Sequence, residues 1–367
     1  MAYQYIDEQA IRSYCEAVFE QCGFSTQDSQ DITDVLLTAD LYGIESHGVQ
    51  RLIRYYQAIQ EGSIIADAPW ETVFETPLSK VIDAPRSMGQ IMAKLGMNTA
   101  IEKAKQHGVG LVTVRGTNHF GIAGYYTQMA AQADMLGICM TNTEAIAVPT
   151  FGRKAMLGTN PIAVSMPADP IDFLFDVSTT VVTRGKIEVY NKNEKPLHDG
   201  WAADQTGESC TDAQQVLNHI IGKLGGGIFP VGGAAEETGS HKGYGLGLIV
   251  ELFTSILGGG TTSPHVKRSG NSDTTFFFAA IDYGLFGDKT IIKKRMSELL
   301  EELRQSPKAE GRTRIYTHGE KEQESLLQKK QSGIPINDKT LSEMRMIGET
   351  LAIEPTIYNL QGQQKEV

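Results

Sequence analysis

Apolar residues recur at helical spacing through the first part of the chain. Between residues 7 and 23, Ile11, Tyr14, Cys15, Val18, Phe19 and Cys22 follow an i, i+3, i+4, i+7 pattern, and Gly23 supplies a stop. Ser25 and Asp28 read as a capping box for a second helix, which turns Ile32, Val35, Leu36 and Ala39 inward and ends near Gly43. The stretch GIESHGVQRLIRYY (43–56) predicts a third helix, with Ser46 as its N-cap and its end around Gly62. On that helix His47, Arg51 and Tyr55 share one stripe, while Leu52, Tyr56 and Ile59 form a second, apolar stripe suited to docking on a core.

From about Trp70 the periodicity changes. WETVFET and SKVID read as short strands split by Pro77. Gly89 to Gln106 predicts a helix with Ile91, Met92, Leu95 and Ile101 inside, closed by Gly108. GLVTVRG (110–116) is a strand, Thr117 to Gly121 a turn, Ile122 to Asp134 a helix and LGICMTNT (136–143) a strand. This alternation predicts an α/β body. TFGRKAMLGTNP (150–161) reads as loop, followed by strands at IAVSMPA and FLFDVST. Thr183 to Thr211 is polar and glycine-punctuated, and is expected to be irregular. Residues 222–247 hold ten glycines. The helix expected next, Leu246 to Leu257, is apolar nearly all round, which predicts burial. TTFFFAAIDYGLF predicts an aromatic strand. Lys289 to Gln305 predicts an amphipathic helix with Met296, Leu299, Leu300 and Leu303 inside. Helices at 321–332 and Asp338 to Ala352 close the pattern, and residues after Gln361 are expected to fray.

Composition narrows the class. The 367 residues suffice for two domains, and 41% hydrophobic with 21% charged residues is an ordinary globular balance. The net charge of −11 argues against nucleic acid and anionic membrane as partners. The N-terminus lacks the apolar core of a signal peptide, and no run of about 18 apolar residues predicts a membrane span. Four scattered cysteines without a CxxC pair suggest neither a zinc ribbon nor a disulfide framework, so the expected location is a reduced cytoplasm.

Several residues carry candidate chemistry. His47 can trade a proton, Arg51 can fork onto a carboxylate, and Tyr55 adds a phenol, which together suit a small carboxylic acid. The competing reading is a buried, hydrogen-bonded histidine beside a surface arginine. His119 sits in TNHFG at the carboxyl end of a strand, where α/β proteins bind ligands; it can act as general base or simply pack against the next helix. LGTNP (157–161) and DVSTTVVTRGK (176–186) place polar groups and backbone N–H donors where they can hold pyrophosphate or ribose, or merely make turns. His241 and Lys242 beside Gly243 can approach a phosphate or belong to a surface loop. No G-x-G-x-x-G, Walker A, H-E-x-x-H or G-x-S-x-G motif occurs, so a dinucleotide site must be built differently and no metal site is expected.

Taken together, GIESHGVQRLIRYY, VRGTNHFGIAGYY, FGRKAMLGTNPIAVSMP, the RGKI at 184–187, DGWAADQTGESCTD, GSHKGYGLGLIVELF and the HGE at 318–320 resemble the malate/L-lactate dehydrogenase family that is distinct from Rossmann-fold enzymes. That family also contains ureidoglycolate, sulfolactate and 2,3-diketogulonate oxidoreductases. The resemblance implies a non-Rossmann α/β (α+β) fold with a largely antiparallel mixed sheet. It places this cofactor-binding domain at 71–289 and a helical unit at 1–70 with 290–367, and it implies a homodimer. It matches His47 and His119 to the two substrate histidines, and Ser46, Arg51 and Tyr55 to substrate-facing positions. Asn142, Asn160, Ser178, Thr179, Thr180, Lys186, His241, Lys242, Gly319 and Glu320 match cofactor contacts. Val177 and His318 depart from the family pattern at the cofactor pocket, which leaves NAD as the expected cofactor with NADP as the alternative.

The expected activity is hydride transfer between NAD(P) and a small 2-hydroxy acid, with malate/oxaloacetate foremost. His119 moves the hydroxyl proton, His47 bonds the same oxygen or relays the proton, and Arg51 grips the C1 carboxylate. The same chemistry on L-lactate, ureidoglycolate or sulfolactate is the alternative. A cofactor-binding regulator without turnover is the competing class, which the presence of both histidines disfavours.

Overall fold

The computed structural model describes residues 3–267 and 273–353. The expected fraying after Gln361 lies outside the described residues. In chain order the elements are β1 (Tyr3–Ile6), α1 (Glu8–Gln21), α2 (Thr26–Leu41), α3 (Leu52–Gln60), β2 (Glu71–Glu75), β3 (Ser79–Asp83), α4 (Gly89–His107), β4 (Val109–Thr117), α5 (Ala123–Gln132), β5 (Leu136–Thr141) and β6 (Ile162–Met166). There follow β7 (Phe173–Val177), α6 (Arg184–Lys192), β8 (Ala202–Ala203), α7 (Ala213–Gly222), β9 (Gly227–Ile228), α8 (Ser240–Glu251), β10 (Thr274–Ile281), α9 (Lys289–Gln305), α10 (Glu320–Ser332), β11 (Ile334–Asn337) and α11 (Asp338–Thr350).

Seven strands form the central sheet in the order β2-β3-β4-β10-β5-β6-β7. Only the β3–β4 pair is parallel, joined through α4; every other neighbouring pair runs antiparallel. The sheet is therefore the largely antiparallel, non-Rossmann one that the resemblance implies. The aromatic strand β10 lies at its centre because both of its faces are covered. Phe276 and Phe278 join Met92, Met97 and Tyr126 under α4 and α5, whereas Phe277 and Ala279 pack with Met140 and Val250 on the other face. Gly96 lets α4 come down on the sheet: a Cβ there would lie 2.6 Å from the Phe278 ring.

A second apolar cluster joins α1, α2 and α3 to β11 and α11. α1 buries Ile11, Tyr14, Cys15, Val18 and Phe19, and Ser25 caps α2 by accepting from the Asp28 N–H at 3.1 Å. The strand β1, unanticipated from the sequence, pairs antiparallel with β11 and ties the two ends of this layer together. All four cysteines are free thiols, three of them buried.

Four expectations are corrected. The single helix from Ser46 is two 3-10 turns, Glu45–His47 and Val49–Arg51, followed by α3. The cause is the buried Asp40 carboxylate, which accepts from the Val49 N–H at 2.8 Å and sits so near Gly48 that a Cβ there would lie 1.9 Å from Oδ1. Ser46 consequently caps nothing. The polar stretch 183–211 is not irregular: it contains α6, capped by the Thr183 hydroxyl, with Ile187 packed into a small cluster built from β8, β9 and α7. The apolar helix near 246 begins at Ser240, passes into a π-turn at Leu252–Ile256, and is not buried on one side. There Leu246, Ile249, Leu252 and Ile256 stand 41% to 58% exposed. α9 likewise buries only Leu300, while Leu299 and Leu303 face outward. Both helices carry apolar faces that nothing within the chain covers.

Candidate active site

The turn after β4 holds His119 in place from three sides. The Asn118 amide donates to Ser63 O and Ser87 O, each at 3.1 Å. Gly89, at the start of α4, approaches so closely that a Cβ would lie 2.2 Å from Asn118 O. The Tyr55 hydroxyl reaches across from α3 and lies 2.6 Å from His119 Nδ1, and the Gly121 N–H points at the same nitrogen from 3.4 Å. Tyr55 is 1% exposed, so its position is fixed by the core beneath it.

His47 stacks against His119 with ring centroids 5.4 Å apart and planes inclined by 30°. Its Nδ1 lies 2.8 Å from Ser46 Oγ. Arg51 donates Nε–H to Ser46 O, which orients the guanidinium, and its two Nη groups are unpaired among the described residues. The stripe expected of one helix is thus assembled from two 3-10 turns and a helix, and Ser46, His47, Arg51, Tyr55 and His119 do converge. Both rings are partly exposed and line one recess.

Burial, then the charges of Arg51 and Arg54, push the His47 pKa down to about 3. Burial, reinforced by Arg54, His47 and Arg51, holds His119 well below its ordinary value. Burial lifts the Tyr55 phenol to about 12. At neutral pH the empty recess therefore holds two uncharged imidazoles and a neutral phenol beneath guanidinium groups. Such a site attracts an anion, and an anion in it would favour the charged imidazolium.

The residues matched to cofactor contacts divide into two kinds. Asn142, Asn160 and Glu320 act as braces. The Asn142 amide donates to Thr261 O and accepts from the Thr275 N–H. The Asn160 amide donates to Glu251 Oε1 at 3.0 Å and accepts from the Thr143 N–H. Glu320 pairs with Arg314 and caps Thr317. Their side chains are spent on the protein itself. The others border open space or hold the ribbon beside it. Ser178 to Val181 runs between Thr159 and the Phe229–Val231 segment, held by Thr179 N–H to Thr159 O and Val231 N–H to Thr179 O, each at 2.9 Å. The Thr179 and Thr180 hydroxyls bond back to Thr159 O and Val182 O. Lys186, His241 and Lys242 are exposed. Gly319 lines a cavity of ≈ 230 Å³ with Tyr42, Gln128, Asp172 and Glu322.

The start of α8 provides the test of fit to an anionic cofactor. Gly239 (φ 96°) gives α8 no side-chain cap, so its first N–H groups stay free, and His241 and Lys242 stand in that same turn. Cations at a helix N-terminus oppose the macrodipole, and the arrangement makes sense where an anion sits over it. A pyrophosphate fits this cradle. Asp176 links the two regions: its carboxylate accepts from the Gly124 N–H at 2.7 Å, just after the His119 turn, and it stands two residues before Ser178.

Some functional groups escaped the sequence reading. Asp40, Asp176 and Glu251 are buried carboxylates that fix loops at the site. Gln90 is wholly buried at the start of α4 with neither amide atom paired among the described residues. The signal for Arg54 and Arg184 was present, since both lie inside quoted motifs.

A recess that trades a proton with a small acid, beside a cradle for a dinucleotide, fits a dehydrogenase acting on a hydroxy acid. The sequence pattern of the malate/L-lactate dehydrogenase family matches residues 6–345, and the chain belongs to that family. It is 40% identical over 359 residues to the malate dehydrogenase of Pyrococcus abyssi, covering 95% of this chain and 98% of that one. It is 35% identical over 345 residues to the L-sulfolactate dehydrogenase of Methanocaldococcus jannaschii, covering 93% and 95%. The solved malate dehydrogenase of Entamoeba histolytica superposes with a TM-score of 0.92 at 33% identity, over 96% of this chain and 99% of that one.

Proposed function

We propose that this chain interconverts malate and oxaloacetate with NAD, NADP being the alternative cofactor. The observation that carries this reading is the stacked His47–His119 pair, supplied by separate segments and flanked by Arg51. Ser178 to Thr180, Lys186, His241, Lys242 and Gly319 would hold the cofactor. When bound, the nicotinamide exchanges a hydride with C2 of the acid.

The protein's own residues do the rest. Arg51, with Nε fixed on Ser46 O, offers its two Nη groups to the C1 carboxylate. That grip sets which face of C2 is presented. The bound carboxylate offsets the guanidinium charges and favours protonation of His119, which then donates to the C2 oxygen during reduction and recovers that proton during oxidation. The Tyr55 hydroxyl can serve Nδ1 in both states, as donor to the neutral ring and acceptor from the charged one. His47 bonds the same substrate oxygen and, by stacking, keeps water from one face of His119.

We also infer a homodimer, because the uncovered apolar faces of α8 and α9 suit a second copy. The division into a helical unit (1–70 with 290–367) and a sheet domain (71–289) is part of this reading, supported by the separate apolar clusters. Four free thiols suit a cytoplasmic location. The test follows NADH and NADPH absorbance with oxaloacetate, pyruvate and other 2-oxo acids. Oxaloacetate-dependent oxidation of NADH is expected. Cofactor binding without turnover of any 2-oxo acid would overturn the proposal in favour of a non-catalytic binding protein.

A further inference from the structure

We propose that Arg184 is the second anion grip of the substrate recess and selects 2-hydroxy acids that carry a second anionic substituent, a carboxylate or sulfonate, over monoanionic ones. The inference rests on the reading above and deepens it. Arg184 opens α6, and the first turn of that helix abuts the histidine segment: a Cβ on Gly185 would lie 3.7 Å from Ser46 Cβ. Ser46 is the residue whose hydroxyl meets His47 and whose carbonyl orients Arg51. The start of α6 is therefore a wall of the recess, built by an element separate from α3.

Arg184 is preset for this task. Its Nε donates to Glu188 Oε1 at 2.9 Å, one turn along the helix, which fixes the guanidinium plane. Its two Nη groups are unpaired among the described residues, and its side chain is only 24% exposed. The charges of Arg184 and Glu188 both act on Arg51 from across the recess. One carboxylate neutralises one guanidinium. A monoanion on Arg51 leaves Arg184 half-satisfied by Glu188, whereas a dianion of three or four carbons can span both cations. Arg54 is the rival second cation, but it is exposed and rises from α3 beside Arg51.

The test compares kcat/KM for oxaloacetate and 2-oxobutanoate in the full chain with saturating cofactor. Arg184→Gln should lower the oxaloacetate to 2-oxobutanoate ratio roughly 10- to 100-fold, the scale of a lost charge-assisted hydrogen bond, and Arg184→Lys should recover part of it. Glu188→Gln should raise the ratio by freeing the guanidinium. Equal losses on both acids, or a ratio that moves with Arg54→Gln and not with Arg184→Gln, would overturn the proposal. Titration calorimetry with succinate and butanoate needs no turnover and separates the two readings. If the wild-type chain turns over neither acid yet prefers succinate, and Arg184→Gln abolishes that preference, the dehydrogenase reading fails and the grip stands. No preference for succinate in the wild type would sink the grip itself.

Discussion

Replacing Tyr55 by phenylalanine isolates one atom of the proposed proton path. The ring is part of the buried cluster under α3 and keeps its packing, so the variant should fold. What disappears is the contact between the hydroxyl and His119 Nδ1, 2.6 Å long. The Gly121 N–H remains at 3.4 Å, too long to replace it. With His119 neutral, the loss is that of a buried neutral hydrogen bond, about 1 kcal/mol. With His119 charged, the ring loses the acceptor for its Nδ1 proton, and the penalty rises to about 1.5–3 kcal/mol. The charged ring therefore suffers more, the His119 pKa moves further below its ordinary value, and the proton is harder to hold in the donor state. Expressed as a rate, kcat for oxaloacetate reduction should fall roughly 10- to 100-fold with little change in KM, because Tyr55 touches His119 and not the acid. The acid limb of the pH–rate profile for the complex should move to lower pH. A kcat within about twofold of wild type, with an unmoved acid limb, would refute the idea that Tyr55 sets the protonation of His119.

Three further outcomes follow from the same geometry. His119→Ala should lower turnover at least about 100-fold while NADH binding, followed by fluorescence, persists; near-normal turnover would pass the role to His47. Arg51→Lys keeps the charge but loses the fork, so KM for the acid should rise about tenfold or more with a smaller change in kcat, and an unchanged KM would remove Arg51 from the carboxylate. Asp40 carries a pH signature: burial raises its pKa to about 7, against the pull of the Val49 N–H and Lys329. A folded-state value above the unfolded one means that stability is full below about pH 4, declines as pH rises, and bears the whole cost above about pH 7, on the order of 4 kcal/mol. Asp40→Asn keeps an acceptor for Val49, so urea unfolding should find it stabilised relative to wild type at about pH 8 and not at about pH 4.5; an equal offset at both would contradict this account.

The boundary between what was legible and what was not follows the range of the forces involved. α1 and α2 could be read because burial repeats every turn and Ser25 carries its cap with it. The strands β4 and β10 could be read because both faces of each are apolar. Residues 45–51 could not, since their backbone is set by Asp40, a buried carboxylate on α2 whose effect on Gly48 and Val49 is tertiary. α6 hid for the opposite reason: its polar sequence buries only Ile187. In α8 and α9 the apolar pattern was real, but a pattern does not say what covers it, and inside this chain nothing does.

The site repeats that division. The types of Ser46, His47, Arg51, Tyr55 and His119 were visible as candidates, yet their meeting depends on contacts such as Tyr55 to His119, which lie 64 residues apart. Asn142 and Asn160 show the limit of matching by position, because a carboxamide beside a ligand and one bracing the loop behind it leave the same letter in a sequence. Only the partners of their amide atoms separate the two roles. The substitution that tests this is Asn160→Ala, which frees Glu251 Oε1 and the Thr143 N–H: its effect belongs in the stability of the 143–160 and 261–263 loops first, and in cofactor affinity only through them.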